Sequence, residues 1–148
     1  MTRPTLTPYP TYADPKDAMA FLETAFGFET HVLVLGAADE IVHAEMSFGD
    51  AVIGIGQAWG ETLRSPRTIG GLSSCYLHVH LETDVDAHYA RAKGAGATVL
   101  AEPQTKPYGD RTYVVADPDG NVWSFGQTMD AAARESWDRP GSVTRKTA

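Results

Sequence analysis

Two strand-like stretches of the chain carry paired side chains that are capable of chemistry. The run "SCYLHVHLE" places His78 and His80 two residues apart, and the run "IVHAEM" places His43 and Glu45 at the same spacing. Because successive side chains of a strand point to opposite faces, each pair lies on one strand face. Two imidazoles arranged in this way can chelate a metal ion when a third ligand is near, and Glu45 is the candidate for that third ligand.

The same side chains have two simpler interpretations. They can line a ligand cavity as hydrogen-bonded polar groups, with their pairing set by strand alternation alone. Alternatively, His78 or His80 can act with Glu45 as a general acid and base without a metal, which requires hydrogen-bond contact and a histidine pKa near neutrality. We therefore expect no cofactor, and a divalent metal held by His78, His80 and Glu45 remains the alternative.

Further candidates lie elsewhere in the chain. Arg111 and Tyr113 share a strand face just before the turn "DPDGN", and Arg111 can hold a carboxylate or phosphate of a ligand, or pair with a nearby aspartate. Trp59 stands in a long polar connection, where it can cover a bound ligand or fill a gap between elements. His88 falls on a helical stretch, where we expect it at the surface.

Composition narrows the possible partners. The 148 residues carry a net charge of −7 and no basic stripe, so we expect no nucleic acid partner. No apolar run approaches the length of a membrane span, so we expect no membrane partner. The single cysteine, Cys75, excludes an internal disulfide and favours a reducing compartment, for which we predict the cytoplasm. The acidic surface favours a cationic small molecule over an anionic one.

The elements that position these residues occur twice along the chain. Asp14 followed by Pro15 predicts the start of a helix that ends at Gly27, and three strand-like runs come after it. The pair Asp17-Ala18 recurs as Asp86-Ala87, and Gly56-Gln57 recurs at nearly the same offset as Gly126-Gln127.

This internal repeat predicts an α+β fold. We expect two tandem βαβββ units that form curved antiparallel sheets around a shared cavity, with the helices on the outside. The units span about 5–57 and about 74–127 and are joined by a linker, 58–73, within a single domain, 1–128. Residues 129–148 are expected to form a short helix and a mobile C-terminal tail.

Three stretches identify the family that this arrangement resembles. They are "YADPKDAMAFLETAFGFE", "DVDAHYARAKGAGATV" and "PYGDRTYVVADPDGNVWSFGQ". Together with the paired βαβββ units, they resemble the vicinal oxygen chelate (VOC) superfamily. This superfamily contains glyoxalase I, extradiol dioxygenases, fosfomycin-resistance enzymes and bleomycin-resistance proteins. The ending looks most like the bleomycin-resistance and glyoxalase-like branch, and the resemblance implies a homodimer.

The resemblance also implies where a metal would be bound. In metal-dependent members, each unit supplies two ligands, usually a histidine on its first strand and a glutamate or glutamine on its last. We expect Trp123 and Phe125 to pack beneath the helix, so that Ser124 faces the cavity at the position of the second glutamate. Carried over residue by residue, the quartet is Thr7, Gly54, Tyr76 and Ser124. None of these is a usual ligand for a divalent metal.

The sequence therefore predicts a small-molecule-binding protein of the bleomycin-resistance type, with a cavity that lacks the usual metal quartet. The alternative is a glyoxalase-like lyase or isomerase, or a dioxygenase-like enzyme, with a relocated metal site or with no metal. The expected partners are a small organic ligand and a second copy of the chain. The predicted ligand-binding residues are His43, Glu45, Trp59, Tyr76, His78, His80, Arg111, Tyr113 and Ser124.

Overall fold

The first helix begins and ends where its sequence signals predict. The structure, a computed structural model, describes residues 3–141, 143 and 145. Asp14 caps helix α1 (Pro15–Phe21), and its carboxylate accepts a hydrogen bond from the backbone N of Asp17 at 3.1 Å. The helix continues as a wider π-helical turn, Leu22–Phe26, which ends at Gly27 with φ 81°. This turn buries Leu22, Ala25 and Phe26 in the core.

The first unit places its strands in a three-stranded antiparallel sheet and a separate two-stranded parallel pair. A tight turn through Gly49 and Asp50 joins the last two strands of that sheet. The chain near Pro8 then runs parallel to the final strand: the backbone N of Gly54 donates to the Pro8 carbonyl at 2.9 Å. The strands are β1 (Thr11–Tyr12), β2 (Glu29–Leu35), β3 (Ile41–Phe48), β4 (Ala51–Gly54) and β5 (Gly56–Gln57), with β1 pairing with β5.

The second unit repeats this order. Its elements are β6 (Tyr76–His80), α2 (Val85–Gly94), β7 (Thr98–Thr105), β8 (Asp110–Ala116) and β9 (Val122–Thr128). The four strands lie in the order β6-β9-β8-β7, and β6 is parallel to β9. Both units thus set their first strand parallel to their last and keep the other strands antiparallel. The predicted α+β fold of paired βαβββ units is confirmed. The sheet of the second unit is mixed at one edge, whereas the parallel pair of the first unit, β1-β5, is separate from its antiparallel sheet.

A short C-terminal helix follows the second unit. Helix α3 (Ala131–Trp137) begins at Asp130, whose side chain accepts from the backbone N of Ala133 at 3.0 Å. Arg134 of this helix pairs with the buried Asp110 at 3.2 Å, which fastens α3 to the start of β8. The predicted mobile tail includes residues 142, 144 and 146–148, which lie outside the described residues, as do residues 1 and 2 of the predicted domain.

The two units share one aromatic core on the helix side of their sheets. Phe26 of the first unit lies 4.8 Å from Phe125 and 5.4 Å from Trp123, measured between ring centroids. Phe28 lies 5.5 Å from Trp123. Because rings from both units fill this space, burial of aromatic surface holds the units together.

His88 is part of this junction, and the expectation that it lies at the surface is wrong. Its Nε2 donates to the Phe26 carbonyl at 2.9 Å, so its Nδ1 accepts from the Tyr113 hydroxyl at 2.6 Å. Burial of the imidazole lowers the pKa of His88. The helical pattern predicts that His88 lies on the charged, exposed side of α2. The π-helical turn Leu22–Phe26 of the first unit covers that position instead.

Candidate functional site

The last strand presents its serine to the face opposite the helices. Trp123 and Phe125 are fully buried in the aromatic core, and Ser124 lies between them on the other face, 8% exposed. Directly across the parallel ladder from Ser124 is His78, whose Nδ1 lies 3.0 Å from the serine hydroxyl. Tyr76 pairs instead with Val122, one strand period away. The first-strand residue opposite Ser124 is therefore His78, which corrects the expected Tyr76.

The first unit carries the repeat equivalent of this pair. Tyr9 stands at the repeat position of His78, and its ring lies over Gly54, which stands at the repeat position of Ser124. The contact is close, because a Cβ atom added to Gly54 would overlap the Tyr9 ring. Tyr9 thus replaces the expected Thr7, and the sequence signal that identifies it is its repeat relation to His78. Glycine is required here because the ring occupies the place of a side chain.

These four positions do not fit a divalent metal. They hold a phenol, no side chain, an imidazole and a hydroxyl, from Tyr9, Gly54, His78 and Ser124, and only the imidazole is a usual ligand. The Tyr9 ring also fills the space above Gly54. Among residues 3–141, 143 and 145, no three histidine, cysteine, aspartate or glutamate side chains form a group that could hold a metal ion.

The alternative set of His78, His80 and Glu45 is not gathered at one point either. The Glu45 carboxylate lies 3.0 Å from Nε2 of His43, which is also on β3. Glu45 stands opposite Gly54 in the ladder between β3 and β4. His78 and His80 lie on β6 in the other unit. The structure therefore forms a carboxylate–imidazole pair, but its imidazole comes from His43.

His78 has the chemistry of a neutral imidazole. Burial lowers its pKa, the neighbouring His80 and Arg134 also lower it, and only the carboxylate of Asp110 opposes them. In the tautomer in which Nδ1–H donates to the Ser124 hydroxyl, Nε2 is free to accept a proton; in the other tautomer, Nδ1 accepts from the hydroxyl and Nε2–H is a donor. His78 can therefore act either as a hydrogen-bonding group for a ligand or as a proton acceptor.

Arg111 and Tyr113 do share a strand face, but that face packs against α2. Two nitrogens of the Arg111 guanidinium reach the Asp86 carboxylate at 3.0 and 3.1 Å, and so form the structural pair that the sequence left open. Tyr113 is fully buried and stacks on Phe125 with ring centroids 5.2 Å apart. Burial raises the pKa of the Tyr113 hydroxyl. Neither side chain faces the side of the sheet on which Ser124 lies.

A cavity of about 640 Å³ opens beside Tyr9, between the two units and the linker. Most of its wall is apolar, and the charged Glu61 and Arg64 also line it. Trp59 belongs to the same linker and is 71% exposed, but it is not part of this wall. The apolar lining includes Tyr9, Pro10, Leu63, Ile69, Leu72 and Val122. We call this space the linker cavity.

One buried carboxylate, that of Asp119, holds the linker beside the linker cavity in place. Asp119 accepts from the backbone N of Ala13 at 2.7 Å and from Arg67 at 2.9 Å, and it also accepts from the Ser65 hydroxyl. It thereby ties the linker and the first unit to the turn before β9. This role was missed from the sequence, which identifies "DPDGN" only as a turn.

Asp117, two residues earlier, joins the first strand to the aromatic core. Its carboxylate accepts from the Tyr12 hydroxyl at 2.8 Å and from the Trp123 indole at 3.1 Å. Burial raises the pKa of Asp117, against the lowering effect of these hydrogen bonds. The same carboxylate raises the pKa of Tyr12, together with burial, which is the larger cause.

Comparisons with known proteins assign the chain to a family. The profile of the Glyoxalase/Bleomycin resistance protein/Dioxygenase superfamily matches residues 11–125, so the chain belongs to this superfamily. Uncharacterized proteins of Mycobacterium bovis and Mycobacterium tuberculosis are 34% identical to it over 131 residues. That match covers 85% of this chain and 84% and 75%, respectively, of theirs.

Solved structures agree with the fold. TioX from Micromonospora sp. ML1 is 27% identical and superposes with a TM-score of 0.65, covering 85% of this chain and 99% of that protein. The fosfomycin resistance protein FosX from Listeria monocytogenes is 16% identical with a TM-score of 0.63, covering 90% and 99% of the two chains. No helix within the described part of the chain is long and apolar enough to cross a membrane.

Proposed function

We propose that this chain binds a small organic molecule noncovalently, as a VOC protein of the bleomycin-resistance type. The observation that carries the proposal is the linker cavity, whose volume of about 640 Å³ lies within the range of small-molecule sites. It lies where two units and a fastened linker meet, beside the close contact of Tyr9 with Gly54. Noncovalent binding needs no metal, and the residues at the family's metal positions suit no divalent ion.

The lining indicates the kind of molecule that would fit. The Tyr9 ring is half exposed and offers a flat surface, and the linker adds the apolar side chains of Ile69 and Leu72. Glu61 supplies a carboxylate within the lining, on a chain with a net charge of −7. A flat apolar guest with a cationic group gains from ring contact, from burial and from the overall field.

Calorimetry with cationic glycopeptides and aromatic metabolites tests this proposal. A matched variant is Val122→Phe, which places a ring into the cavity from the strand face that Ser124 shares. We expect saturable heat with the parent protein and at least tenfold weaker binding in the variant. Equal binding in both proteins would place the ligand elsewhere and overturn the proposal.

A second candidate function rests on the contact of His78 with Ser124. A neutral imidazole on a partly exposed strand face, oriented by a hydroxyl at 3.0 Å, is a suitable proton acceptor for a glyoxalase-like isomerase or lyase. Metal analysis of protein purified without chelators, together with activity assays of His78→Gln, separates this candidate from simple binding. Turnover that is lost in the variant would favour the enzyme, and ligand binding without turnover would favour the first proposal.

We also propose that two copies of the chain associate and that the protein works in the cytoplasm. The outer strand β2 is an unpaired sheet edge that exposes Leu33 and Leu35, and exposed apolar edges are usually covered. The exposed thiol of Cys75 supports a reducing compartment, where it stays unoxidised.

A further inference from the structure

A second cavity, of about 410 Å³, lies at the other end of the junction between the two units. The N-terminal segment and the start of β4 form one side, and β6 forms the other. Phe28, Phe48 and Trp123 lie at its inner end, where Trp123 and Phe28 are buried in the shared core and Phe48 is partly exposed. We call it the core cavity. Apart from these rings its principal apolar lining is Leu6, Ile53 and Val79.

The internal repeat relates the two cavities. The linker cavity includes Asn121 and Val122 at the start of β9. At the equivalent positions of the first unit, Ala51 and Val52 at the start of β4 line the core cavity. Both cavities also include Pro8, which precedes the first strand of the first unit, and Leu77, in the first strand of the second unit. The fold therefore forms an opening at each end of this junction.

The surroundings of the two openings differ because the two turns differ. Asp117 and Asp119 of the second unit are buried and bound to the linker and to the first strand. The corresponding turn of the first unit is the short Gly49-Asp50 connection, and Asp50 is exposed. The Asp50 carboxylate is thus available to a ligand, whereas Asp117 and Asp119 already accept hydrogen bonds from other protein groups.

The lining chemistry defines one class of guest. Among the lining residues that the structure describes, Asp50 is the one carboxylate, and neither lysine nor arginine is present. His78 and His80 also line the cavity, and burial lowers the pKa of His78, which keeps that ring neutral. The partly exposed ring of Phe48 favours a planar aromatic group, and a carboxylate at one end of the cavity favours a cation attached to it. An anionic guest would face Asp50 and the net negative charge of the chain.

We propose that the core cavity is a separate binding site for a planar aromatic cation, distinct from the linker cavity. The aromatic group would insert between the N-terminal segment and β6, beside the ring of Phe48, and its cationic group would pair with Asp50. A volume of about 410 Å³ suits a fused two-ring system of this kind. The site does not depend on what the linker cavity binds.

Nuclear magnetic resonance titration with 1-naphthylmethylammonium tests the site, with 1-naphthalenesulfonate as the anion built on the same ring. We expect the cation to shift the resonances of Val79 and of the Phe48 ring in a saturable manner, and to bind at least fivefold more tightly than the sulfonate. Asp50→Asn removes the charge from an exposed turn without disturbing the core, and it should abolish this preference.

Two blocking variants distinguish the cavities. Ala51→Phe places a ring beside Phe48 in the core cavity and should weaken binding of the cation at least tenfold. Val122→Phe blocks the linker cavity and should leave the affinity for the cation within twofold of the parent value. The proposal is overturned if the Val79 and Phe48 resonances stay fixed at saturation, if Ala51→Phe binds as the parent does, or if Asp50→Asn keeps the preference for the cation.

Discussion

At the scale of single residues, the face that each side chain of β9 takes decides the chemistry of the site. Trp123 and Phe125 fill the aromatic core, while Ser124 meets His78 on the opposite face. The alternation of the strand places a hydroxyl where the resemblance to the VOC superfamily implies a carboxylate. Placing a glutamate at Ser124 and, in a second variant, at Trp123 therefore tests which face each side chain takes.

Replacing Ser124 by glutamate should leave the protein folded, whereas replacing Trp123 should not. A carboxylate at position 124 adjoins the partly exposed His78 imidazole, which can take up a proton and pair with it. A carboxylate at position 123 would be buried among aromatic rings at a cost of several kcal/mol, enough to unfold a marginally stable domain. Thermal melts of the two variants provide the measurement. A folded Trp123→Glu protein beside an unfolded Ser124→Glu protein would show that the facing is inverted.

The depressed pKa of His78 predicts a loss of stability in acid. An unfolded histidine titrates at roughly 6.5, and burial lowers the pKa of His78 in the folded protein below that value. Between the two pKa values the unfolded chain binds more protons, so stability should fall as the pH drops through this window. Because burial also lowers the pKa of His88, the titrations of the two imidazoles must be followed separately by their proton resonances.

The matched variant for this effect is His78→Gln, which keeps a hydrogen-bonding group opposite Ser124 but cannot titrate. Its melting temperature should decline less than that of the parent between neutral pH and about pH 5. An identical decline in both proteins, or a His78 resonance that titrates above the value for an unfolded histidine, would contradict the expectation.

At the scale of elements, the linker owes its position to the turn before β9. Asp119 receives hydrogen bonds from Ala13, Ser65 and Arg67, so one carboxylate joins three segments that are distant in sequence. The linker has little regular structure of its own, a single 3₁₀ turn at Pro66–Ile69. The shape of the linker cavity therefore depends on this one buried side chain.

Asp119→Ala should destabilise the protein by about 3 kcal/mol, because it leaves buried donors without an acceptor. The linker should also become a site of rapid proteolysis. Asp86→Ala is the matched control, since it removes an exposed carboxylate paired with Arg111 and should cost less than about 1 kcal/mol. Urea unfolding and limited trypsin digestion measure both effects. Equal losses of stability in the two variants would show that the buried Asp119 carboxylate stabilises the fold no more than an exposed ion pair does.

How far the sequence predicts these features depends on the range of the interactions. Helix α1 was predictable from Asp14, Pro15 and Gly27, because caps and breakers act within a few residues. The register that brings His78 to Ser124 joins two strands that are distant in sequence, and a shift of one strand period separates it from the expected Tyr76. Alternation defines a face but leaves register open by two residues.

The side on which β8 presents Arg111 and Tyr113 was likewise open from sequence. Both possible faces of that strand carry side chains that suit a site or a core, since Thr112 and Val114 alternate with them. Only the ladder with β9 shows that Tyr113 pairs with Phe125 and so faces the helices. The function of Asp119 required contacts with segments far away in the chain, for which no local pattern exists.

At the scale of the whole molecule, duplication explains the layout of the candidate site. Two βαβββ units place their first strands at a common junction, with a close side-chain contact in each unit and a cavity at either end. The repeated backbone is retained while the chemistry has diverged, with a tyrosine over a glycine in one unit and a histidine beside a serine in the other. Because this fold is used for many reactions, the function of the chain depends on these side chains rather than on the backbone.

The proposed homodimer is a prediction at this scale. A chain of 15.9 kDa should sediment at about twice that mass at micromolar concentration, with an interface on the order of 1,500 Å². Leu33→Lys places a charge on the exposed edge strand and should favour dissociation if β2 contributes to the interface. A parent protein that sediments as a monomer would refute the association.

The most direct test of the central claim is a comparison of ligand binding between the parent protein and Val122→Phe by isothermal titration calorimetry. A screen of cationic glycopeptides and aromatic metabolites should give at least one ligand that binds the parent with a simple saturable isotherm. The same ligand should bind at least tenfold more weakly to Val122→Phe, whose melting temperature should stay close to that of the parent. A screen without heat from any ligand, or a ligand that binds both proteins equally, would contradict the claim that the linker cavity is the binding site.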